Sequence, residues 1–165
     1  GSGKSTLLGL IAGIYIPQNG NVTINTEKIG YVGVTPLIVS GTLKENLIYG
    51  NSMKIKNQIL IDIVKEFSLF ESKKVDLKMK VSTKTLSSGQ MQKISFIRAL
   101  LNKVEILILD ESTSNLDKKT KDLIFDLLNL RKITIINSTH NEEDFLFDNH
   151  IQITIDEEKR KLIFI

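Results

Sequence analysis

The chain of 165 residues reads as an α/β protein built around a mostly parallel central sheet. Three observations carry that expectation. Val104 to Leu109 and Ile133 to Ser138 are short, nearly unbroken apolar runs of the kind that form strands buried on both faces. Segments of helical periodicity lie between and around them, which is the alternation of a crossover sheet. The first run also ends in two acids, Asp110 and Glu111, at the carboxyl end of a strand, where open α/β sheets bind their ligands.

Taken in order, Ser5 to Ile14 is expected to be a helix, Pro17-Gln18-Asn19-Gly20 a turn, and Asn21 to Asn25 with Lys28 to Val32 two short strands. From Gly41 to about Leu86 the pattern changes. Leu43, Leu47 and Ile48, then Ile55, Ile59, Ile63 and Phe67, repeat at helical spacing and predict a helical insertion. Ser87 or Ser88 can cap a further helix carrying Met91, Ile94, Ile97, Leu100 and Leu101. A helix over Lys118 to Leu130 leads into the second buried run. Ile151 to Ile155 and Leu162 to Ile165 predict a closing hairpin around Asp156 to Lys161.

Composition excludes several classes. With 22 basic against 19 acidic residues the net charge is only +3, too slight for a nucleic-acid face. There is no cysteine, hence no disulfide framework and no zinc ribbon. No apolar stretch approaches the roughly 18 residues of a membrane-spanning helix, and no signal peptide opens the chain, so it is expected to be soluble as given. At 41% hydrophobic content a single core is within reach, and two prolines leave no obvious linker.

Chemistry concentrates at two places. Gly1-Ser2-Gly3-Lys4-Ser5-Thr6 reads as the second half of a phosphate-binding loop, G-x-x-x-x-G-K-[ST], whose first half precedes the numbering. In such loops backbone N–H groups wrap phosphates, the lysine reaches the terminal oxygens and the following hydroxyl takes a place on Mg²⁺. The following helix would point its N-terminus at the same anion. A flexible Gly/Ser linker is the bland alternative. Asp110 and Glu111 have one too, since Asp110 could simply cap the next segment. Together with Lys4 and Ser5 the two acids read differently: Asp110 holds Mg²⁺ through water, and Glu111 polarises the water that attacks a γ-phosphate.

Leu86-Ser87-Ser88-Gly89-Gln90, directly before a helix, is a second phosphate-shaped element. With it the chain resembles the nucleotide-binding domain of an ABC transporter. The Walker A fragment, an LSSGQ signature similar to LSGGQ, the Walker B strand with its glutamate, Ser114-Asn115-Leu116-Asp117 resembling the D-loop and Ser138-Thr139-His140 resembling the H-loop occur in the family's order. The resemblance implies a P-loop NTPase fold with a helical signature subdomain. Residues 1–40 and 102–165 would form the catalytic core and about 41–101 the helical subdomain of one domain. It implies ATP and Mg²⁺ as cofactors, with Ser5 and Asp110 on the metal and Glu111 and His140 as catalytic groups. Gly1, Ser2, Gly3, Lys4, Ser5, Thr6, Ser87, Ser88, Gly89, Gln90 and Asp117 would contact nucleotide. Two such domains would close head to tail, so that Ser87 and the Gly89 backbone meet the γ-phosphate bound to the other copy. The implied partners are a transmembrane domain and a second nucleotide-binding domain at the cytoplasmic face of a membrane, with no nucleic acid. His150 has no such context and is read as structural.

Ile29 to Pro36 and Ser40-Gly41-Thr42-Leu43-Lys44-Glu45-Asn46-Leu47 resemble the Q-loop and helical entry of exporter-type domains. Val34 stands where the family usually has a glutamine that ligates Mg²⁺, and an apolar side chain can do neither that nor accept a hydrogen bond. Lys80 to Thr85 replaces the acidic, glycine-containing stretch that exporters often carry before the signature, and Ser88 replaces a signature glycine. The implied function is ATP hydrolysis powering membrane transport, with a lean to export. Alternatives are a hydrolysis-poor regulatory module, favoured by Val34, and a soluble relative acting on DNA or the ribosome. The latter lacks support, because the Gly41 to Leu86 segment has neither cysteines nor sustained heptads. In related domains the strand feeding the P-loop and the adenine-stacking aromatic lie upstream. A gap in the central sheet at that strand and weak nucleotide binding by the isolated chain are therefore expected.

Overall fold

The computed structural model describes residues 3–72, 74–114, 116–139, 147–156 and 159–164. Three parallel strands, β1 (Ile29–Val32), β4 (Ile106–Asp110) and β5 (Thr134–Ser138), form a sheet in the order β1-β4-β5. Val32 lies beside Leu109, and Asp110 beside Ser138. The central strand is apolar on both faces, and Leu107, Ile108 and Leu109 are fully buried, which explains its unbroken apolar run. Within this sheet the three strands pair in direct succession. β5 pairs on one side only among the described residues.

Helix α1 (Lys4–Ile11) packs on β4. It stops three residues earlier than expected, where the Gly13 and Ile14 amides turn back onto the Leu10 and Gly9 carbonyls. Asn21 to Asn25 is not a strand. Among the described residues it has no neighbouring ladder, and alternation alone cannot satisfy a strand's backbone.

Two-residue strands β2 (Gly41–Thr42) and β3 (Lys80–Val81) pair antiparallel and bracket α2 (Leu43–Leu47) and α3 (Asn57–Glu66). These strands are too short for any sequence period and were not expected inside a helical insertion. Thr42 and Glu45 close a capping box at the start of α2, with Thr42 Oγ1 accepting from Glu45 N at 3.1 Å. On α3 the buried stripe is Leu60, Ile63 and Val64, continued by Phe67, while Ile59 is 51% exposed. Ile63 and Phe67 of the expected stripe are buried and Ile55 is half-buried, whereas Ile59 is replaced on the buried face by its neighbour Leu60. At 100° per residue that step is enough to turn a side chain to solvent.

Helix α4 (Ser88–Leu101) contacts α2, β1 and α5 (Lys118–Leu130), and is buried over most of its circumference through Ile94, Phe96, Ile97 and Leu100. One contiguous core runs from Val32 through these helices to Leu128. The last described element is the hairpin of β6 (Ile151–Asp156) and β7 (Lys159–Phe164), whose strands run further than expected, with Asp156 paired to Lys159; Glu157, Glu158 and Ile165 lie outside the described residues.

Candidate functional site

Gly3 is the N-cap of α1 at φ 90°, ψ 13°, a left-handed conformation that a Cβ disfavours, and no side chain caps the helix behind it. The first-turn amides of α1 are therefore not taken up by a capping side chain. One residue into the helix, Ser5 Oγ donates to Asp110 Oδ1 at 3.1 Å, across 105 residues of sequence. Asp110, only 5% exposed, takes a second hydroxyl on its other oxygen: Tyr31 OH donates to Oδ2 at 2.8 Å. Burial, reinforced by the Asp110 carboxylate, pushes the Tyr31 phenol up to about 12, so it is a proton donor throughout the neutral range. Asp110 is not a helix cap, and the bland reading of it is set aside.

Glu111 follows at φ 50°. The other described non-glycine residues with positive φ, Ser68, Lys103 and Lys132, each sit one position past a helix C-cap, where a left-handed turn is routine. Glu111 lies instead at the end of β4. Its amide donates to Ser138 O at 3.0 Å, and its carbonyl accepts from Ser114 N and Ser114 Oγ, the latter at 2.8 Å. Such a backbone costs on the order of 1 kcal/mol and is held here by three hydrogen bonds, a pattern found at functional sites. Ser112 Oγ, Ser138 Oγ and Asn137 Oδ1, at the same ends of β4 and β5, are buried polar atoms without a hydrogen-bond partner among the described residues. The unpaired atoms beside Asp110 fit a site that takes up water or a polar ligand.

Ser87 is the N-cap of α4, accepting from Gln90 N at 3.2 Å while its own amide donates to Gln90 Oε1 at 2.9 Å. Ser87 and Ser88 are exposed. A Cβ on Gly89 would meet nothing closer than Leu116 Cδ2 at 3.9 Å, so this glycine is not demanded by packing within the chain. Asp117 caps α5, its two oxygens accepting from Thr120 N and Thr120 Oγ1, both at 2.9 Å. That amide holds its carboxyl below the usual range. Lys4 and Thr6 occupy the first turn of α1 beside Ser5. Gly1, Ser2, Asn115 and His140 lie outside the described residues.

Sequence reasoning missed Tyr31, Asn46 and Arg98. Asn46, fully buried, accepts from Val39 N and donates to the Val39 and Thr42 carbonyls. Arg98 Nε donates to Asn46 O and its Nη1 to Leu37 O, both at 2.7 Å, and its guanidinium lies 5.4 Å from the Tyr49 ring centre. These contacts fix residues 37–42 against α4 and border a groove of about 600 Å³ lined by Tyr31, Pro36, Leu37, Tyr49 and Arg98. Val34 does not line this groove and is 47% exposed.

Comparison with known proteins gives the family. The family model described as ABC transporter matches residues 1–114. The chain belongs to the ABC transporter family. It is 34% identical to the ATP-dependent permease MDL1 of Candida albicans over 85% of this chain and 24% of that protein. It is 32% identical to the glutathione/L-cysteine transport system ATP-binding/permease protein CydD of Haemophilus influenzae over 87% of this chain and 27% of that protein. To the sublancin-168-processing and transport ATP-binding protein SunT of Bacillus subtilis it is 31% identical, over 86% and 22%. The chain thus spans about a quarter of the length of these relatives. As an ABC transporter ATP-binding domain it has the α/β P-loop NTPase class expected, and no helix among the described residues is long and apolar enough to cross a membrane.

Proposed function

We propose that this domain binds and hydrolyses Mg·ATP in a head-to-tail pair with a second nucleotide-binding domain, and so drives an export-type transmembrane domain at the cytoplasmic face of a membrane. The observation that carries the reading is the 3.1 Å hydrogen bond from Ser5 to Asp110, which brings the phosphate-loop hydroxyl and the strand-end carboxylate to one point.

Ser5 Oγ and Asp110 are hard oxygen donors, and one carboxylate beside a hydroxyl is the protein share of a site that Mg²⁺ enters together with phosphate oxygens. When bound, the ion neutralises charge on the β- and γ-phosphates. The chain's own groups do the rest. The first-turn amides of α1 and the Lys4 ammonium hold the phosphates. Glu111 accepts a hydrogen bond from the attacking water and orients it. His140 contacts the γ-phosphate and that water. The exposed N-terminus of α4, with Ser87, Ser88, Gly89 and Gln90, receives the γ-phosphate held by the other copy, as the favourable end of the helix dipole. Asp117 anchors the start of α5 next to that interface. In this reading residues 1–40 and 102–165 serve as the catalytic core and about 41–101 as the helical part of one domain.

Steady-state phosphate release from the full-length protein tests this. Glu111→Gln is expected to keep ATP binding while turnover falls by at least about 100-fold; normal turnover would remove the assignment of Glu111. A second reading, a regulatory module with feeble hydrolysis, draws on Val34, an exposed apolar side chain at the Q-loop position. Very slow release from the unmodified protein, with tight ATP binding, would favour it.

A further inference from the structure

We infer that Tyr31 is a positioning residue for the metal-binding carboxylate, fixing Asp110 in the orientation that presents Oδ1 to Ser5. The inference rests on the Mg·ATP reading above and deepens it. A buried carboxylate held by one hydrogen bond can still rotate about its terminal torsion, which is broad and soft. Asp110 is held from two sides, by Ser5 Oγ on Oδ1 at 3.1 Å and by Tyr31 OH on Oδ2 at 2.8 Å.

Strand register explains the reach. Tyr31 lies beside Ile108 in the parallel ladder, and Asp110, two residues further on, projects from the same face of β4. The phenol spans that offset. A Cβ on Gly33 would come within 3.2 Å of Tyr31 Cε1, so the glycine permits the backbone to run close along the ring. The Gly33 carbonyl in turn accepts from Nε2 of Gln92, a buried residue of α4, at 3.1 Å. Thus α4, whose first turn is the signature, is linked through Gln92, Gly33 and the Tyr31 ring to Asp110. Val34, one residue beyond Gly33, has a side chain with no polar atom to offer the site. The polar link between this loop and the metal carboxylate is made by Tyr31.

The test is Mn²⁺ binding to the full-length protein in the presence of a non-hydrolysable ATP analogue, followed by electron paramagnetic resonance, for the unmodified protein, Tyr31→Phe and the control Tyr49→Phe. Tyr31→Phe is expected to weaken Mn²⁺ about tenfold, to leave metal-free nucleotide affinity unchanged, and to raise the Mg²⁺ concentration for half-maximal turnover more than it lowers kcat at saturating Mg²⁺. Tyr49→Phe should match the unmodified protein. Mn²⁺ affinity of Tyr31→Phe within twofold of the unmodified protein overturns the positioning role and leaves the Mg·ATP reading intact. An equal loss of metal-free nucleotide affinity also overturns it, since that is the mark of a merely structural change. Absence of any metal-dependent nucleotide binding in the unmodified protein overturns both.

Discussion

Replacing Asn46 by alanine should loosen the strap of residues 37–42 that lies between the sheet and the helical part. The side chain makes three hydrogen bonds to backbone, with Val39 N at 3.0 Å, Val39 O at 2.9 Å and Thr42 O at 3.1 Å. At about 1 kcal/mol net for each, their loss comes to about 3 kcal/mol. Val39 is half-buried, so water re-solvates part of its amide and trims that figure; the void left by a fully buried side chain works in the opposite direction. Arg98 keeps its bonds to the main chain at residues 46 and 37, so the change is local. With a urea m-value of about 2 kcal/mol/M the unfolding midpoint should fall by about 1.5 M, and Tm by about 6–12 °C. Amide hydrogen exchange gives the site-specific readout, with faster exchange at Val39. A midpoint shift below about 0.3 M with unchanged exchange at Val39 would show that packing, not the amide network, holds this segment, and the reasoning would be wrong.

Other outcomes follow from the same geometry. Asp117→Asn keeps a capping oxygen but removes a titration. Because the Asp117 carboxyl sits below its ordinary 3.8 in the folded chain, its contribution is present above that value and lost as pH falls through the folded pKa. A plot of Tm against pH should therefore drop less steeply below pH 4 in the asparagine variant. Gly3→Ala places a Cβ at φ 90° and should cost about 1 kcal/mol or more in stability together with a clear loss of ATP affinity by calorimetry. Val34→Gln offers a metal ligand where none exists; tighter Mg·ATP binding or faster turnover would show that the departure matters here, and unchanged values of both would show that it does not.

How much of this was legible in the sequence depended on how local the cause was. The α4 cap was readable because S-x-x-Q is a four-residue signal, and only the choice between Ser87 and Ser88 needed coordinates. The buried β4 and β5 were readable from unbroken apolar runs, and Ser5 with Asp110 from the joint presence of two motifs. Tyr31 was not readable, because its partner is set by the β1–β4 register across 79 residues of sequence. The pairing of β2 with β3 failed for the same reason, and Asn21 to Asn25 failed in reverse, showing strand alternation with no partner among the described residues to satisfy it. On α3 the expected stripe holds at Ile63 and Phe67 and fails only at Ile59, because Ile59 and Leu60 are equally apolar and only packing chooses between them.

The most direct measurement is photolabelling of the full-length protein with an ATP analogue carrying a reactive group on its γ-phosphate, with the labelled peptides identified by mass spectrometry. With Mg²⁺ present, label is expected on the peptide containing Lys4 to Thr6 and also on the one containing Ser87 to Gln90, since this chain's signature would face nucleotide held by the other domain whether the pair is identical or mixed. Label confined to the first peptide under conditions of full occupancy would contradict the shared site, and label on neither would contradict nucleotide binding at Ser5 and Asp110 altogether.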